Sequence, residues 1–227
     1  MKHITDIFFD LDHTLWDFDA NSVLAFDKIF KEQHPNINTH QFVEIYAPIN
    51  QACWKLYQVD KITHEELRYQ RLKQSFDALS YTISDEAIDK IAHDYIAFLP
   101  ENNQLFEGAI EVLEYLLPKY HLHIITNGFA DVQHKKIVNS GLQGYFKTVT
   151  NSEMAGVKKP HRNIFEFALS LANAEKQNAL MIGDCIDADV RGAIEFGMEA
   201  ILFDEKNTHS AATFKRINHL KELKEIL

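Results

Sequence analysis

The sequence contains few cysteines, glycines and prolines. Only two cysteines occur in 227 residues, Cys53 and Cys185, and this number argues against the disulfide framework of a small secreted domain. With only eight glycines and five prolines, the sequence has no segment typical of a flexible linker or a low-complexity tract. We therefore expect an ordered chain in a reducing compartment.

Positive charge and long apolar runs are also scarce. The chain has 23 Lys and Arg against 33 Asp and Glu, a formal net charge of −10, so neither nucleic acid nor an anionic membrane is expected as a partner. No apolar run reaches the roughly 18 residues of a membrane span, and MKHITDIFFD has no apolar stretch ahead of its first charges. We expect a cytoplasmic protein, a monomer or homodimer, that acts on a small molecule.

Short apolar runs recur along the chain, and segments with apolar residues at helical spacing lie between them, such as GAIEVLEYLLPKY from Gly108. The runs are typical of strands buried on both faces of a sheet. Because strands that alternate with helices form right-handed crossovers, we predict an α/β fold with a doubly wound, mainly parallel sheet. The predicted strands are DIFFD at 6–10, LHIITNG at 122–128, ALMIGD at 179–184 and EAILFD at 199–204.

One segment breaks this alternation. Residues 18–97 contain only helical patterns, one of them opened by a capping box of Thr63 and Glu66. We predict an all-helical cap domain inserted into a core made of residues 1–17 and 98–227. Since the loop after the first strand lies at the carboxyl end of the sheet, where ligands bind, the insert is expected to act as a lid.

Two carboxylates end the first predicted strand, Asp10 and Asp12. Residues two apart in a strand project to the same side, with Cα atoms about 6.5 to 7 Å apart. The carboxylates would repel one another unless a cation lay between them, and Mg²⁺ prefers such oxygen ligands. The alternative is a strand end that only turns into solvent.

A second acidic strand end follows at LMIGDCIDADVRGA. Asp184 comes directly after the apolar run, and Asp189 lies near the start of the next helix. Three acidic positions at two strand ends predict a metal site. Asp187 has the spacing of the same cluster, but we interpret it as a helix cap.

Two further segments offer phosphate ligands. IITNGF provides the Thr126 hydroxyl and the backbone amides of Asn127 and Gly128, and GVKKPHRNIF provides Lys158 and Lys159. Alone, each is typical of a turn or of a solvated surface. Together with the acidic strand ends they indicate a site for a phosphate group.

These four segments occur in a familiar order. The chain resembles the phosphatases of the haloacid dehalogenase superfamily, whose four motifs are matched by DLDHT, ITN, KP and GDCIDAD. The resemblance covers essentially the whole chain and implies a Rossmann-like core with a helical cap of the C1 type. It also implies a magnesium-dependent phosphomonoester hydrolase that acts through an aspartyl-phosphate.

The resemblance assigns roles to the acidic residues. Asp10 would be the nucleophile and Asp12 the general acid and base. Magnesium would be held by Asp10, the main-chain carbonyl of Asp12 and Asp184, with Asp189 as a further acidic support of the metal site. Relatives that act as dehalogenases, phosphonatases or pumps lack an Asp two residues after the nucleophile, so Asp12 indicates transfer from an oxygen ester.

The same resemblance makes Thr126 a phosphate ligand and Lys159 the neutralising lysine. Closer similarity is to the pyrimidine 5'-nucleotidases of the YjjG type, carried by WDFDANSVLAF, ITNGF followed by Gln133, EMAGVKKPHRNIFEFAL and INQACWKLYQVDKIT. In the cap, Trp54 and Tyr57 are predicted to stack on a base, with Asn50, Gln58 or Arg71 at its edge. The alternative is that Trp54 and Tyr57 pack the cap's own core.

Other functions stay open at this stage. A sugar-phosphate phosphatase or a phosphomutase would use the same core residues. A non-catalytic phospho-receiver also gathers acids, a threonine and a lysine around an aspartate, although receivers have no helical insert.

No catalytic or metal-binding role is expected for two histidines and one cysteine near the predicted strands. His121 and His123 alternate on a predicted strand, so a surface or edge position is favoured for both. Cys185 follows Asp184 and is interpreted as a small packing residue.

Overall fold

In the computed structural model, which describes residues 1, 3–209 and 213–227, one parallel sheet joins the start of the chain to its second half. The six strands found among the described residues run in the order β3-β2-β1-β4-β5-β6, and every pair is parallel. The strands are β1 (Asp6–Phe9), β2 (His121–Thr126), β3 (Thr148–Asn151), β4 (Ala179–Gly183), β5 (Glu199–Phe203) and β6 (Arg216–Ile217).

The predicted parallel α/β fold is confirmed, and all four predicted strands are present. β3 and β6 were not predicted from the sequence. Each lies at an edge of the sheet, where one side of the strand has no neighbour in the sheet order, and β6 has only two residues. Such strands need no continuous apolar run, so the hydrophobic pattern does not mark them.

The chain divides into two units, residues 1–17 with 104–227 and residues 18–103. The sequence placed the return to the core between residues 97 and 98. The structure places it between Asn103 and Gln104, because the last helix of the insert runs directly into a 3-10 turn at Leu99–Glu101.

The unit of residues 18–103 is helical. The first helix, α1 (Phe18–Gln33), packs against α2 (Thr39–Gln58) and α4 (Asp85–Phe98), and α3 (His64–Ala78) packs against the same two helices. Thr63 and Glu66 form the predicted capping box, since the Thr63 hydroxyl accepts from the Glu66 amide at 3.2 Å. Aromatic rings fill the interior: Phe26, Phe30, Phe42, Tyr46, Phe76 and Tyr95.

Helices also flank the sheet in the other unit. A buried cluster joins the sheet to two of these helices and includes Phe8, Ile125, Met181, Leu202, Phe165 and Ala193. None of the helices described in either unit is long and apolar enough to cross a membrane. The helices are α5 (Ala109–Leu116), α6 (Ala130–Asn139), α7 (Ser152–Ala155), α8 (Arg162–Ala172), α9 (Gly192–Phe196) and α10 (Leu223–Ile226), with a π-helix at Ile186–Arg191.

The expectation for His123 was wrong. Its side chain is completely buried, and its ring stacks on Phe8 with centroids 4.6 Å apart. Its ring nitrogens lie 3.2 Å from an Asp6 oxygen and 2.7 Å from the Thr148 hydroxyl. Burial lowers the pKa of His123, although Asp6 opposes this shift, so the ring is a neutral part of the core.

Candidate active site

The carboxyl ends of the three central strands meet at one edge of the sheet. Phe9 of β1 lies opposite Ile124 of β2 and Ile182 of β4. Asp10 extends β1, and its amide donates to the Ile182 carbonyl at 2.8 Å. Because neighbouring parallel strands end at the same level, Asp10, Thr126 and Asp184 arrive at one place.

Three carboxylates lie together at this edge, those of Asp10, Asp184 and Asp189, with one oxygen of each within 4.8 Å of the others. The Lys159 ammonium lies 2.6 Å from an Asp10 oxygen and 2.6 Å from an Asp189 oxygen, and it donates to the Ile125 carbonyl at 2.8 Å. Asp10, Lys159 and Asp189 are 7%, 2% and 1% exposed. Water therefore screens these charges weakly.

The charges of this cluster are unbalanced. Burial raises the pKa of Asp10 to about 7, although Lys159 opposes the shift. Burial, then the charges of Asp189 and Asp10, raise the pKa of Asp184 well above its ordinary value. Burial lowers the pKa of Lys159, but the Asp10 and Asp189 carboxylates raise it more, so the lysine stays charged. Three carboxylates around one ammonium therefore favour the uptake of protons or of a cation, and this donor set fits a Mg²⁺ ion.

Asp12 points to a different partner. Its Oδ1 lies 2.5 Å from the ammonium of Lys136, and its Oδ2 accepts from the Gln133 amide at 2.9 Å. The Asp12 carboxylate is thus not part of the acidic group around Asp10, although its charge contributes to the raised pKa of that residue. A single cation between Asp10 and Asp12 was predicted; in the structure each carboxylate has its own buried lysine.

Thr126 lies at the end of β2 and is 1% exposed. Its hydroxyl oxygen accepts from the Gly128 amide at 3.0 Å and from the Gln133 side chain at 2.6 Å. Two accepted hydrogen bonds use both lone pairs, so the hydroxyl proton is what Thr126 can offer to a phosphate oxygen.

Asn127 holds the main chain of Lys159. Its side-chain oxygen accepts from the Lys159 amide at 2.7 Å, and its side-chain nitrogen donates to the Lys159 carbonyl at 3.0 Å. The Asn127 carbonyl in turn accepts from the Ser152 hydroxyl at 3.2 Å. The Asn127 side chain therefore fixes the lysine of the site, while its predicted contact with substrate through the backbone remains a prediction.

The loop after β4 is built around Asp189. Its Oδ2 accepts from the Cys185 amide at 3.0 Å, and the carboxylate lies against Gly183. The prediction that Asp187 caps the next helix was wrong: the Cys185 sulfur accepts from the Ala188 amide, and Asp187 is exposed with an oxygen 2.6 Å from Arg191. Burial, Asp189 and Asp184 raise the pKa of Cys185 to about 12, so its thiol is not a nucleophile near neutral pH.

Trp54 and Tyr57, the predicted base-binding residues, belong to the other unit. Both lie on α2 and are half-buried, with ring centroids 5.6 Å apart in an edge-to-face arrangement. Asn50 and Arg71 are buried in the same unit, where the guanidinium of Arg71 donates to the Asn50 side chain at 3.2 Å.

Sequence reasoning missed two polar residues of this site, Gln133 and Lys136. Gln133 had no predicted role beyond its place in the family resemblance, and Lys136 had no predicted role. Both face inward from α6, three residues apart, on the helix that follows the Thr126 loop. Their spacing on a helix next to a predicted phosphate loop is the signal that could have identified them.

The chain matches the haloacid dehalogenase-like hydrolase family over residues 6–197. It therefore belongs to this family of hydrolases.

Individual relatives are similar over nearly their whole length. The pyrimidine 5'-nucleotidase PynA of Streptococcus pneumoniae is 31% identical over 92% of this chain and 89% of its own. The pyrimidine 5'-nucleotidase YjjG of Escherichia coli is 28% identical over 97% of this chain and 96% of its own. The crystal structure of the putative HAD-hydrolase YfnB of Bacillus subtilis, described as bound to magnesium and as showing interdomain movement, has a TM-score of 0.87 and 29% identity, covering 99% of this chain and 98% of its own.

Gly183→Ala should disrupt the acidic cluster. An added Cβ would lie 2.3 Å from Asp189 Oδ2 and 2.6 Å from Asp189 Cβ, so the buried Asp189 side chain would have to shift. We expect a loss of about 1 to 3 kcal/mol in the free energy of unfolding, measured with urea, and weaker Mg²⁺ binding. Gly144→Ala is the matched control, because a Cβ there meets nothing within 4 Å. Equal stability of the two variants would contradict this account of Gly183.

If this donor set binds Mg²⁺, the binding should depend on pH. Since the metal-free protein holds Asp10 with a pKa of about 7, and Asp184 with a raised pKa, protons compete with the ion at lower pH. We expect binding about tenfold tighter at about pH 8 than at about pH 6, with proton release that is larger at the lower pH. Calorimetry in two buffers of different ionisation enthalpy measures both quantities. Affinity that does not change with pH would exclude this competition.

Proposed function

We propose that this protein is a magnesium-dependent phosphomonoester hydrolase that acts through an aspartyl-phosphate on Asp10. The observation that carries the proposal is the buried pair of Asp10 and Lys159 within a cluster of three carboxylates. A second carboxylate, Asp12, follows two residues later and lies outside that cluster. This combination provides a nucleophile, neutralising charges and a separate proton carrier.

In the first half-reaction, an Asp10 oxygen attacks phosphorus as the bond to the ester oxygen breaks. Asp12 gives its proton to the departing alkoxide, and an acylphosphate forms on Asp10. Lys159 lowers the repulsion between the carboxylate and the anionic phosphate, and Thr126 donates its hydroxyl proton to a phosphate oxygen. The Asn127 and Gly128 amides would donate to the same group.

In the second half-reaction, Asp12 takes a proton from a water molecule, which attacks the acylphosphate. The bond between phosphorus and the Asp10 oxygen breaks, inorganic phosphate leaves, and Asp10 is restored. Asp10, Asp184 and Asp189 would hold the magnesium ion together with the Asp12 main-chain carbonyl. When bound, the ion supplies positive charge that neutralises the phosphate oxygens.

For the substrate we propose pyrimidine nucleoside monophosphates. PynA and YjjG, both named as pyrimidine 5'-nucleotidases, support this choice through their full-length similarity. Trp54 and Tyr57 are the aromatic residues that we propose to stack on the base. The two rings also contact each other edge to face, and the Trp54→Ala experiment below distinguishes base stacking from packing within the cap.

Asp10→Asn should abolish turnover of p-nitrophenyl phosphate with Mg²⁺ by more than about 10³-fold, because an amide cannot form the acylphosphate. The control is Asp187→Asn, which removes an exposed acid from the same region and should keep normal activity. Released phosphate, measured over many turnovers, is the readout. A wild-type protein that is labelled once per chain without turnover would instead support a phospho-receiver, and an active Asp10→Asn variant would remove the proposed nucleophile.

Substrate choice can be tested with UMP, dUMP, dTMP, purine nucleotides and sugar phosphates ranked by kcat/KM. We expect the pyrimidine nucleotides to rank first. Trp54→Ala should raise KM about tenfold or more for these nucleotides and leave KM for p-nitrophenyl phosphate within about twofold, because that ester has no base to stack. Leu56→Ala, at an exposed position of the same helix, is the control. Equal effects on both substrates would show that Trp54 only packs the cap, and a sugar phosphate that ranked first would replace the nucleotide proposal.

A further inference from the structure

Helix α6 presents two buried side chains to the Asp12 carboxylate. Lys136 and Gln133 are 2% and 1% exposed, and each contacts a different oxygen of Asp12, at 2.5 and 2.9 Å. We propose that Lys136 and Gln133 are positioning residues that hold this carboxylate in the one orientation from which it protonates the leaving group. The inference rests on the proposed function, in which Asp12 is the general acid.

Gln133 couples Asp12 to the phosphate-binding threonine. Its amide nitrogen has two hydrogens, and the two acceptors within reach are Asp12 Oδ2 at 2.9 Å and Thr126 Oγ1 at 2.6 Å. A Cβ at Gly128 would lie 2.3 Å from this nitrogen, so only glycine admits the side chain here. One amide therefore sets the distance between the proton carrier and the hydroxyl that contacts phosphate.

Lys136 is held by an aromatic ring. Its ammonium lies 4.3 Å from the centroid of the Trp16 ring, which is completely buried and donates its N–H to the Ser140 hydroxyl at 3.1 Å. Trp16 also forms a backbone bridge with Asp12. Trp16, whose ring contacts Lys136, is thus connected through the main chain to Asp12, the partner of Lys136.

A fixed orientation matters because Asp12 is more open to water than its partners. The side chain of Asp12 is 22% exposed, against 3% for that of Lys136. A carboxylate without fixed partners would rotate and hydrate, whereas proton transfer needs the donor and acceptor atoms within about 2.6 to 3.2 Å. With one partner on each oxygen, rotation of Asp12 would break a buried contact.

The test uses two esters that differ in their need for a proton. The phenolate of phenyl phosphate, with a pKa near 10 as in tyrosine, benefits from protonation on leaving, and that of p-nitrophenyl phosphate, a far weaker base, does not. Neither ester has a base or a sugar, so recognition by the cap does not enter. Because kcat/KM covers the steps up to departure of the leaving group, it reports the action of Asp12 as an acid.

Lys136→Met should lower kcat/KM about 100-fold for phenyl phosphate and less than about threefold for p-nitrophenyl phosphate. Methionine keeps an unbranched chain against Trp16 without the charge. Lys135→Met changes an exposed lysine on the same helix and should leave both values unchanged. Gln133→Met, which removes only the amide contacts, should show the same unequal loss at a smaller magnitude.

Equal losses for the two esters in both variants would overturn the inference and assign Lys136 and Gln133 to the stability of the fold. Affinity for Mg²⁺ and the midpoint of thermal unfolding show whether a variant is folded. If Lys136→Met does not fold, the comparison of the two esters is made with Gln133→Met alone. If the wild-type protein hydrolyses neither ester, the proposed function itself fails, which is a different result from equal losses in an active enzyme.

Discussion

The contact between the Lys159 ammonium and the Asp10 carboxylate is the interaction on which the site depends. It places a full positive charge inside the sheet edge, where an isolated charge of either sign would cost several kcal/mol of folding free energy. Asp189 and the Ile125 carbonyl complete the surroundings of the ammonium, and Asn127 holds the lysine's main chain from both sides. A group of acids that would otherwise repel one another is thereby kept buried and close together.

The two aspartates of the segment DLD, Asp10 and Asp12, have different surroundings. Asp10 lies among other carboxylates with a lysine from the loop before α8, whereas Asp12 lies against α6 with a lysine and a glutamine. In the proposed mechanism, the separate roles of nucleophile and proton carrier follow from the different partners that surround the two acids. Two residues of separation on the chain are enough, because β1 ends at Phe9 and the backbone then turns, so that Asp12 forms a bridge with Trp16.

Much of this arrangement could be predicted from the sequence, because central parallel strands are buried on both faces and leave continuous apolar runs. The acids, the threonine and the lysine follow such runs or precede a helix, so their meeting at one sheet edge was foreseeable. β3 and β6 were missed because edge strands carry a mixed pattern. Gln133 and Lys136 were missed because the sequence does not distinguish a buried polar residue on an amphipathic helix from a solvent-exposed one. Only the structure shows that their partner is Asp12.

The two ends of the core chain at the insertion are paired with each other. Trp16 forms a bridge with Leu105, and the Asp17 amide donates to the Gln104 carbonyl at 3.0 Å. The chain therefore leaves the core and returns to it at residues that are paired like neighbouring strands at the base of a hairpin. Because the two ends already lie together, lengthening the peptide that joins them adds only slowly to the entropy cost of closing the loop. The sheet of the core can consequently keep its strand pairing when the segment inserted between Asp17 and Gln104 changes in length.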